Sequence, residues 1–281
     1  MIQHQAMTEA YTYNLEAYAN RIGYGGKFEP TLAVLQDIAL AHASHIPFES
    51  LDVLLGNPIL LDPASLENKL VTSNRGGYCF EQNGLMLGVL AQIGFQVQPL
   101  SGRVRIFSTR DQIPGRTHLF VKVTIAEEDY FFDVGVGGFS LTSPIKSQLD
   151  VEQETLHETR RIVKFGASYF HQAWTGSTWL DVVEFTGELM PPIDREIGSW
   201  WTSTSPKANF RQNLICAVAE PGGYRKALQN SIYTRRKGPD VVSKIIVESA
   251  NHLIDILDQE FNLRFPADTR FGSGAQPWPT Q

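Results

Sequence analysis

The chain has 281 residues, 42% of them hydrophobic and 19% charged, with a net charge of −6. That balance is globular rather than disordered, the length suits two or three packed subdomains, and the acidity speaks against a general nucleic-acid binder. No apolar run approaches the roughly 20 residues that span a bilayer, and with Cys79 and Cys216 as the only cysteines no disulfide scaffold is expected, so the reducing cytoplasm is the expected compartment and no membrane partner is expected.

The opening residues, MIQHQAMTEAYTYNLEAY, have neither a basic n-region nor an apolar h-region, and no signal peptide is expected. The first ninety-odd residues read as helical. In EPTLAVLQDIALAHASHI, Leu32, Leu35, Ile38 and His42 recur at three- and four-residue spacing, and Pro47 stops the helix. Next comes NRGGYCFEQNG at 74–84, where a glycine loop turns into a helix at Cys79. Leu85, Val89 and Ile93 form one stripe, Met86 and Leu90 widen it, and Gly94 is an end signal.

After residue 95 the texture changes. FQVQPLSGRVRIF, THLFVKVTI, DYFFDVGV, RIVKF, SYFHQAW and WLDVVEFTG are short, rich in β-branched and aromatic residues, and separated by turn-prone clusters. This spacing predicts an antiparallel sheet or small barrel. FRQNLICAVAE and YRKALQNSIYTRRKG continue as strands. SANHLIDILDQEFNL returns to helix with Ser249 as N-cap, and GSGAQPWPTQ reads as a loose tail. Helices, then strands, then strands with a closing helix make the fold class α+β. Two stretches, 101–125 and 205–237, are strongly basic within this acidic chain. They suit a small polyanionic ligand, although charge alone fits solvated strand faces better.

A lone cysteine is more often a small core hydrophobe than a nucleophile, and Cys216 within LICAVA fits that description. Cys79 is placed differently. A helix N-terminus favours negative charge, and Arg75–Gly76–Gly77–Tyr78 offers a flexible approach with a nearby cation. A thiolate nucleophile needs a base and the base needs an orienter. His118 shares a strand face with Phe120 and Lys122, while the next strand carries Asp133. A turn at Ala126–Glu127 sets His118 opposite Gly135, with Asp133 a diagonal neighbour on the same face. A turn at Glu127–Glu128 fits worse, and the sequence does not choose between them. Cys79, His118 and Asp133 together form an acyl-transfer constellation.

RGGYCFEQN, THLFVKV and DVGVGG resemble, in order and spacing, the three catalytic segments of the arylamine N-acetyltransferases; YANRIGYGGKFEPTLAVLQDIALAHASHIPFESLDVLLG resembles that family's opening, and the similarity is strong over residues 11–145 and weaker afterwards. The resemblance implies a helical bundle over 1–95 carrying Cys79, a β-barrel over 96–200 carrying His118 and Asp133, and an α/β lid over 201–281, around a cysteine-protease-like catalytic core. It implies ping-pong transfer of acetyl from acetyl-CoA, through an acetyl-Cys79 thioester, to a small arylamine, arylhydroxylamine or hydrazine, with no metal. Phe48 and Val136 match acceptor-pocket positions. Gly115, Thr204 and Ser205 match positions near CoA, with TSTSP at 202–206 as the cofactor-side loop. Many members carry an aromatic where this chain has Val136, which implies a wider acceptor pocket. A papain-type order is a poor match, since there His and Asn follow the Cys by about 130–150 residues. An amide synthase, a transglutaminase-like cysteine hydrolase and a non-enzymatic binding module remain as alternatives. The sequence does not give the oligomeric state.

Overall fold

The first helices are delimited by their own residues. A computed structural model describes residues 11–273 and 276–278. Helix α1 (Leu15–Ile22) is capped by Asn14, whose side chain accepts from the Ala17 N–H, and ends at left-handed Gly23. Helix α2 (Leu32–His45) buries Leu35, Ile38 and His42 and stops before Pro47, as the spacing predicts. A two-residue strand β1 (Phe48–Glu49), short helices α3 (Leu51–Leu55) and α4 (Pro63–Glu67), and a π-type turn over Asn68–Thr72 lead to α5 (Cys79–Ile93). Gly94, in the left-handed conformation, closes α5.

Seven antiparallel strands follow: β2 (Gln96–Val104), β3 (His118–Ile125), β4 (Glu128–Phe132), β5 (Ile145–Lys146), β6 (Arg160–Phe165), β7 (Ser168–Trp174) and β8 (Trp179–Leu189). Their order is β5-β4-β3-β2-β8-β7-β6, and bridges from Leu149 to Ile162 and from Gln153 to Arg160 bring the two edges together into a nearly closed barrel. Alternation along β3 sends Phe120 into the barrel core with Leu100, Phe131 and Phe185, and Leu119, Val121 and Val123 out against the helical core around α5. The β3–β4 hairpin turns at Ala126–Glu127, with Ile125 opposite Glu128; both turn residues have positive φ, 49° and 67°.

The chain then forms α6 (Pro192–Thr204) and α7 (Asn209–Gln212) before a second sheet of β9 (Ile215–Ala219), β10 (Tyr224–Gln229), β11 (Ile232–Lys237) and β12 (Asp240–Ile246). The edge partner of β9 is β1, with Phe48 opposite Ala217 and Glu49 opposite Cys216. Helix α8 (Ala250–Phe261), N-capped by Ser249 as expected, packs Leu253, Ile256 and Leu257 on this sheet's core. The chain is therefore α+β, with a helical bundle, an antiparallel barrel and a closing α/β layer. No helix among the described residues is long and apolar enough to cross a membrane.

Three expectations are corrected. TSTSP is not a loop: Thr202–Thr204 form the last turn of α6 and Ser205 is its C-cap. In FRQNLICAVAE only Ile215–Ala219 is strand, because Asn209–Gln212 make a helical turn. The expected tail is partly ordered, since β13 (Phe271–Ser273) pairs with β14 (Gln276–Trp278) and Phe271 and Trp278 are buried. Residues 274–275 and 279–281 of that tail lie outside the described residues, as do the first ten, on which the signal-peptide reading falls.

Candidate active site

Cys79 is the first residue of α5, at the end where unpaired N–H groups and the helix dipole favour an anion. Among the described residues the Cys79 and Phe80 N–H groups have no acceptor. The Glu81–Gln82–Asn83 run that follows anchors this helix end. Glu81 accepts from the Tyr78 N–H at 3.0 Å and pairs with Lys69 at 2.6 Å. Gln82 donates to the carbonyls of Ile46, Pro47 and Gly77 and meets His42 at 2.5 Å. Asn83 donates to the Leu119 carbonyl at 2.7 Å and to Asp133 Oδ1 at 2.9 Å, and accepts from the Val134 N–H at 3.1 Å. The sequence reading assigned these three no role. The signal was present: three polar residues in a row at the start of a helix whose spacing marks it as core.

The glycines before Cys79 serve close approach rather than flexibility. A Cβ on Gly76 would lie 2.1 Å from the Pro47 carbonyl oxygen, and one on Gly77 2.8 Å from Glu81. Arg75 is not a cation for the thiol. Its guanidinium lies 2.7 Å from Glu49 and 3.3 Å from Asp52 and stacks on Phe265, because buried carboxylates need a paired charge more than a thiol does.

His118 opens β3 and Asp133 follows β4. His118 Nε2 meets Asp133 Oδ2 at 2.7 Å, which leaves Nδ1 as the ring nitrogen for Cys79. Asp133 Oδ1 also accepts from the Gly135 N–H at 3.1 Å. Gly135 lets this segment reach α5, since a Cβ there would sit 2.8 Å from Cys79 Cα. Cys79, His118 and Asp133 are 4%, 1% and 2% exposed. Burial alone would push the imidazole down. The charge and hydrogen bond of Asp133, with the Cys79 thiol, push it up to about 10 instead. Burial likewise opposes ionised Asp133, but His118, Asn83 and the Gly135 N–H hold its carboxyl below the usual range. Cys216 is fully buried and its thiol is pushed up by burial, as befits a core residue.

A family model described as N-acetyltransferase matches residues 31–270. An arylamine N-acetyltransferase of Mycobacterium tuberculosis is 38% identical over 254 residues, covering 89% of each chain. The chain belongs to the arylamine N-acetyltransferase family. A second relative, an arylamine N-acetyltransferase / N-hydroxyarylamine O-acetyltransferase of Salmonella typhimurium, is 36% identical over 249 residues, covering 89% of this chain and 88% of that protein. The solved structure of Mycobacterium marinum arylamine N-acetyltransferase in complex with CoA matches with a TM-score of 0.85 at 35% identity, covering 89% of this chain and 92% of that one.

In this chain the other expected site residues are spread more widely. Phe48 packs its ring against Gly137 and Phe210, whereas its expected companion Val136 is buried in the barrel core. Gly115 borders a cleft of about 600 Å³ with Arg116, Thr117 and Trp201; the Thr117 carbonyl is 3.7 Å from Cys79 Sγ. Thr204 borders a separate cleft of about 1080 Å³ with Trp200, Ser203 and Arg211, so α6 stands between them. The basic stretch 101–125 is not free for a ligand. Arg105, Arg110 and Arg116 pair with Glu184, Asp181 and Glu188 of β8, Lys122 pairs with Asp129, and Arg103 donates to the Pro114 carbonyl. In the second stretch, Lys207, Arg211, Arg236 and Lys237 have no carboxylate partner among the described residues. No cluster of His, Cys, Asp or Glu among those residues could hold a metal ion.

Proposed function

We propose that this chain moves an acetyl group from acetyl-CoA to small arylamines, arylhydroxylamines or hydrazines by a ping-pong mechanism. The observation that carries the reading is the buried contact of His118 with Asp133 beside Cys79 at a helix N-terminus. The Cys79 thiolate attacks the acetyl carbonyl, and the Cys79 and Phe80 N–H groups stabilise the oxyanion. The bond to the CoA sulfur breaks, and CoA leaves as the thiol with the proton of the His118 imidazolium. The acceptor nitrogen then attacks the acetyl-Cys79 thioester. Its proton passes to neutral His118, and the carbon–sulfur bond to Cys79 breaks, restoring the thiolate–imidazolium pair. Asp133 stabilises that imidazolium throughout.

Gly115 is assigned to the donor on its place two residues before Thr117, in the cleft that Thr117 also lines, since the Thr117 carbonyl lies 3.7 Å from Cys79 Sγ. Thr204 and Ser205 are assigned to CoA at the end of α6, where Arg211 supplies a cation for phosphate. Phe48 and Val136 are assigned to the acceptor side. The three-part division at residues 95 and 200 belongs to the same reading. Incubation with acetyl-CoA and no amine should add one acetyl group to Cys79, and a test arylamine should remove it as the N-acetyl product. Label found only on lysines or Cys216, or thioester lost to water as fast as to amine, would overturn the assignment.

A further inference from the structure

The segment from Asp133 to Leu141 carries the carboxylate that meets His118 and has little regular structure beyond one 3-10 turn over Gly137–Phe139. Within itself it is held by the Leu141 N–H donating to the Asp133 carbonyl, and by Ser140 Oγ, which donates to the Val134 carbonyl and accepts from the Val136 N–H. From outside, three consecutive carbonyls each accept from a different arginine. Gly138 accepts from Arg236 at 3.4 Å, Phe139 from Arg160 at 2.9 Å, and Ser140 from Arg225 at 3.0 Å. Arg160 lies on β6 of the barrel, whereas Arg225 and Arg236 lie on β10 and β11 of the other sheet. Glu158 joins the two sides. Its carboxylate takes both Nε and Nη2 of Arg225, at 3.0 and 2.6 Å, and also pairs with Arg160 Nη2. Arg160 and Arg225 are 0% and 5% exposed. Burying two guanidinium groups is unfavourable unless they are paired and hydrogen-bonded, and here even Arg160 Nε is left without a partner among the described residues, whereas apolar side chains would fill the same volume without that cost.

We propose that Arg225, with Glu158 and Arg160, is a positioning device for the catalytic triad. It locks the 133–141 segment so that the Asp133 carboxylate meets His118, and it makes acetyl transfer depend on the C-terminal sheet. The inference rests on the Cys79–His118–Asp133 reading. Asp133 and His118 are faced by Cys79 and Asn83 from α5, by Arg160 from β6 and by His171 from β7. His171 meets Arg160 Nη1 at 3.2 Å and is kept neutral by burial and that cation, its pKa lowered to about 3. A release of the segment therefore reports through the imidazole. Without Asp133 in contact, His118 holds its proton less tightly.

The test is the rate of Cys79 alkylation by iodoacetamide against pH, beside pre-steady-state acetylation and the acetyl-CoA KM. Wild type is compared with Arg225→Met, Arg225→Lys and Leu228→Ala, the last a core change on the same strand. Arg225→Met should move the alkaline limb down by about one pH unit and slow acetylation by about tenfold, with KM within about twofold. Arg225→Lys should fall between, since an ammonium keeps the charge but lacks the planar fork whose Nε and Nη2 together grip Glu158 while Nη2 also reaches the Ser140 carbonyl. Leu228→Ala should lower Tm and leave the limb in place. The proposal is overturned if Arg225→Met keeps the wild-type limb and rate, or if Leu228→Ala shifts the limb equally. If Arg225→Met does not accumulate as folded protein, Arg225→Lys decides, and a wild-type profile there overturns it. A wild-type limb that survives His118→Gln would instead sink the triad reading, and this inference with it.

Discussion

Asn83 ties three parts of the candidate site together from one buried side chain: the Asp133 carboxylate, the β3 backbone and the segment after Asp133. Its removal leaves the Leu119 carbonyl and the Val134 N–H without that partner. Each buried orphan costs about 1–3 kcal/mol. Asn83→Ala should therefore lower Tm by several degrees and slow acetylation. Asn83→Asp keeps the shape but sets a second carboxylate against Asp133, and two such groups resist joint ionisation. At pH 8 the isosteric change should be the more damaging of the two. Steady-state kcat/KM and Tm for the pair would check this, and a fully active Asn83→Asp would contradict the role given to Asn83. Cys79, His118 and Asp133 were legible as a candidate constellation, because a helix start and strand alternation place them near one another. Asn83, Gln82 and Glu81 were not, because their work is defined by backbone groups contributed from elsewhere in the chain.

At the scale of elements, legibility follows how faithfully burial tracks hydrophobicity. Helices α2, α5 and α8 bury most of the apolar residues their spacing marks, with Leu32 and Ile93 at the helix ends only half-buried, and were readable. Helix α6 inverts the rule. It buries Gly198, Ser199 and Thr202 while Ile193, Ile197 and Trp200 are exposed, so its pattern gives no core-facing stripe. Gly198 is where α6 meets Phe80, and Ser199 hydrogen-bonds the Tyr78 hydroxyl, so small residues were selected for approach. The β3–β4 hairpin shows a different compromise. Its register aligns His118 with Asp133, yet Ala126 and Glu127 both occupy the left-handed region, which disfavours residues with a Cβ by about 1–2 kcal/mol each. Replacing the pair with Asn-Gly should raise Tm by a few degrees and leave the Cys79 alkylation profile unchanged. A lower Tm from thermal melts would mean that the turn is held by something other than its own conformation.

Over the whole molecule, charge is buried in pairs, and the sequence could not show this. Arg160, Arg225 and Glu158 read as polar strand residues because nothing local distinguishes a solvated charge from one whose partner lies on another sheet. Burial also holds three histidines neutral: His42 and His157 with pKa values near 4 and His171 near 3. In the unfolded chain each takes a proton near 6.5, so between about 6.5 and 4 the unfolded state binds more protons and stability falls with pH. Asp133 and Glu158, held below the usual carboxylate range, add losses at still lower pH. His118 has the opposite sign. Its raised pKa stabilises the fold fully below 6.5, and that contribution fades as pH rises toward 10. Thermal melts should therefore peak near neutrality and drop steeply below pH 6. A Tm that is flat from pH 7 to 4.5 would mean that these histidines already accept protons in the folded state.

The two residues of β1 lie near the start of the chain, yet they complete the edge of a sheet made from its last third. Closing a contact across more than half the chain is among the latest events in folding, because the entropy of the intervening loop must be lost first. During synthesis the N-terminal helices and barrel emerge well before β9 does. The candidate triad of Cys79, His118 and Asp133 is all present on that incomplete chain, but Arg225 and Arg236 are still to come. On the proposed role of Arg225, a ribosome-bound or truncated product lacking β10 should hold a thiol whose partners are not yet aligned. If Arg225 positions Asp133 as proposed, reactivity toward acyl donors should arrive only once both ends of the polypeptide have met.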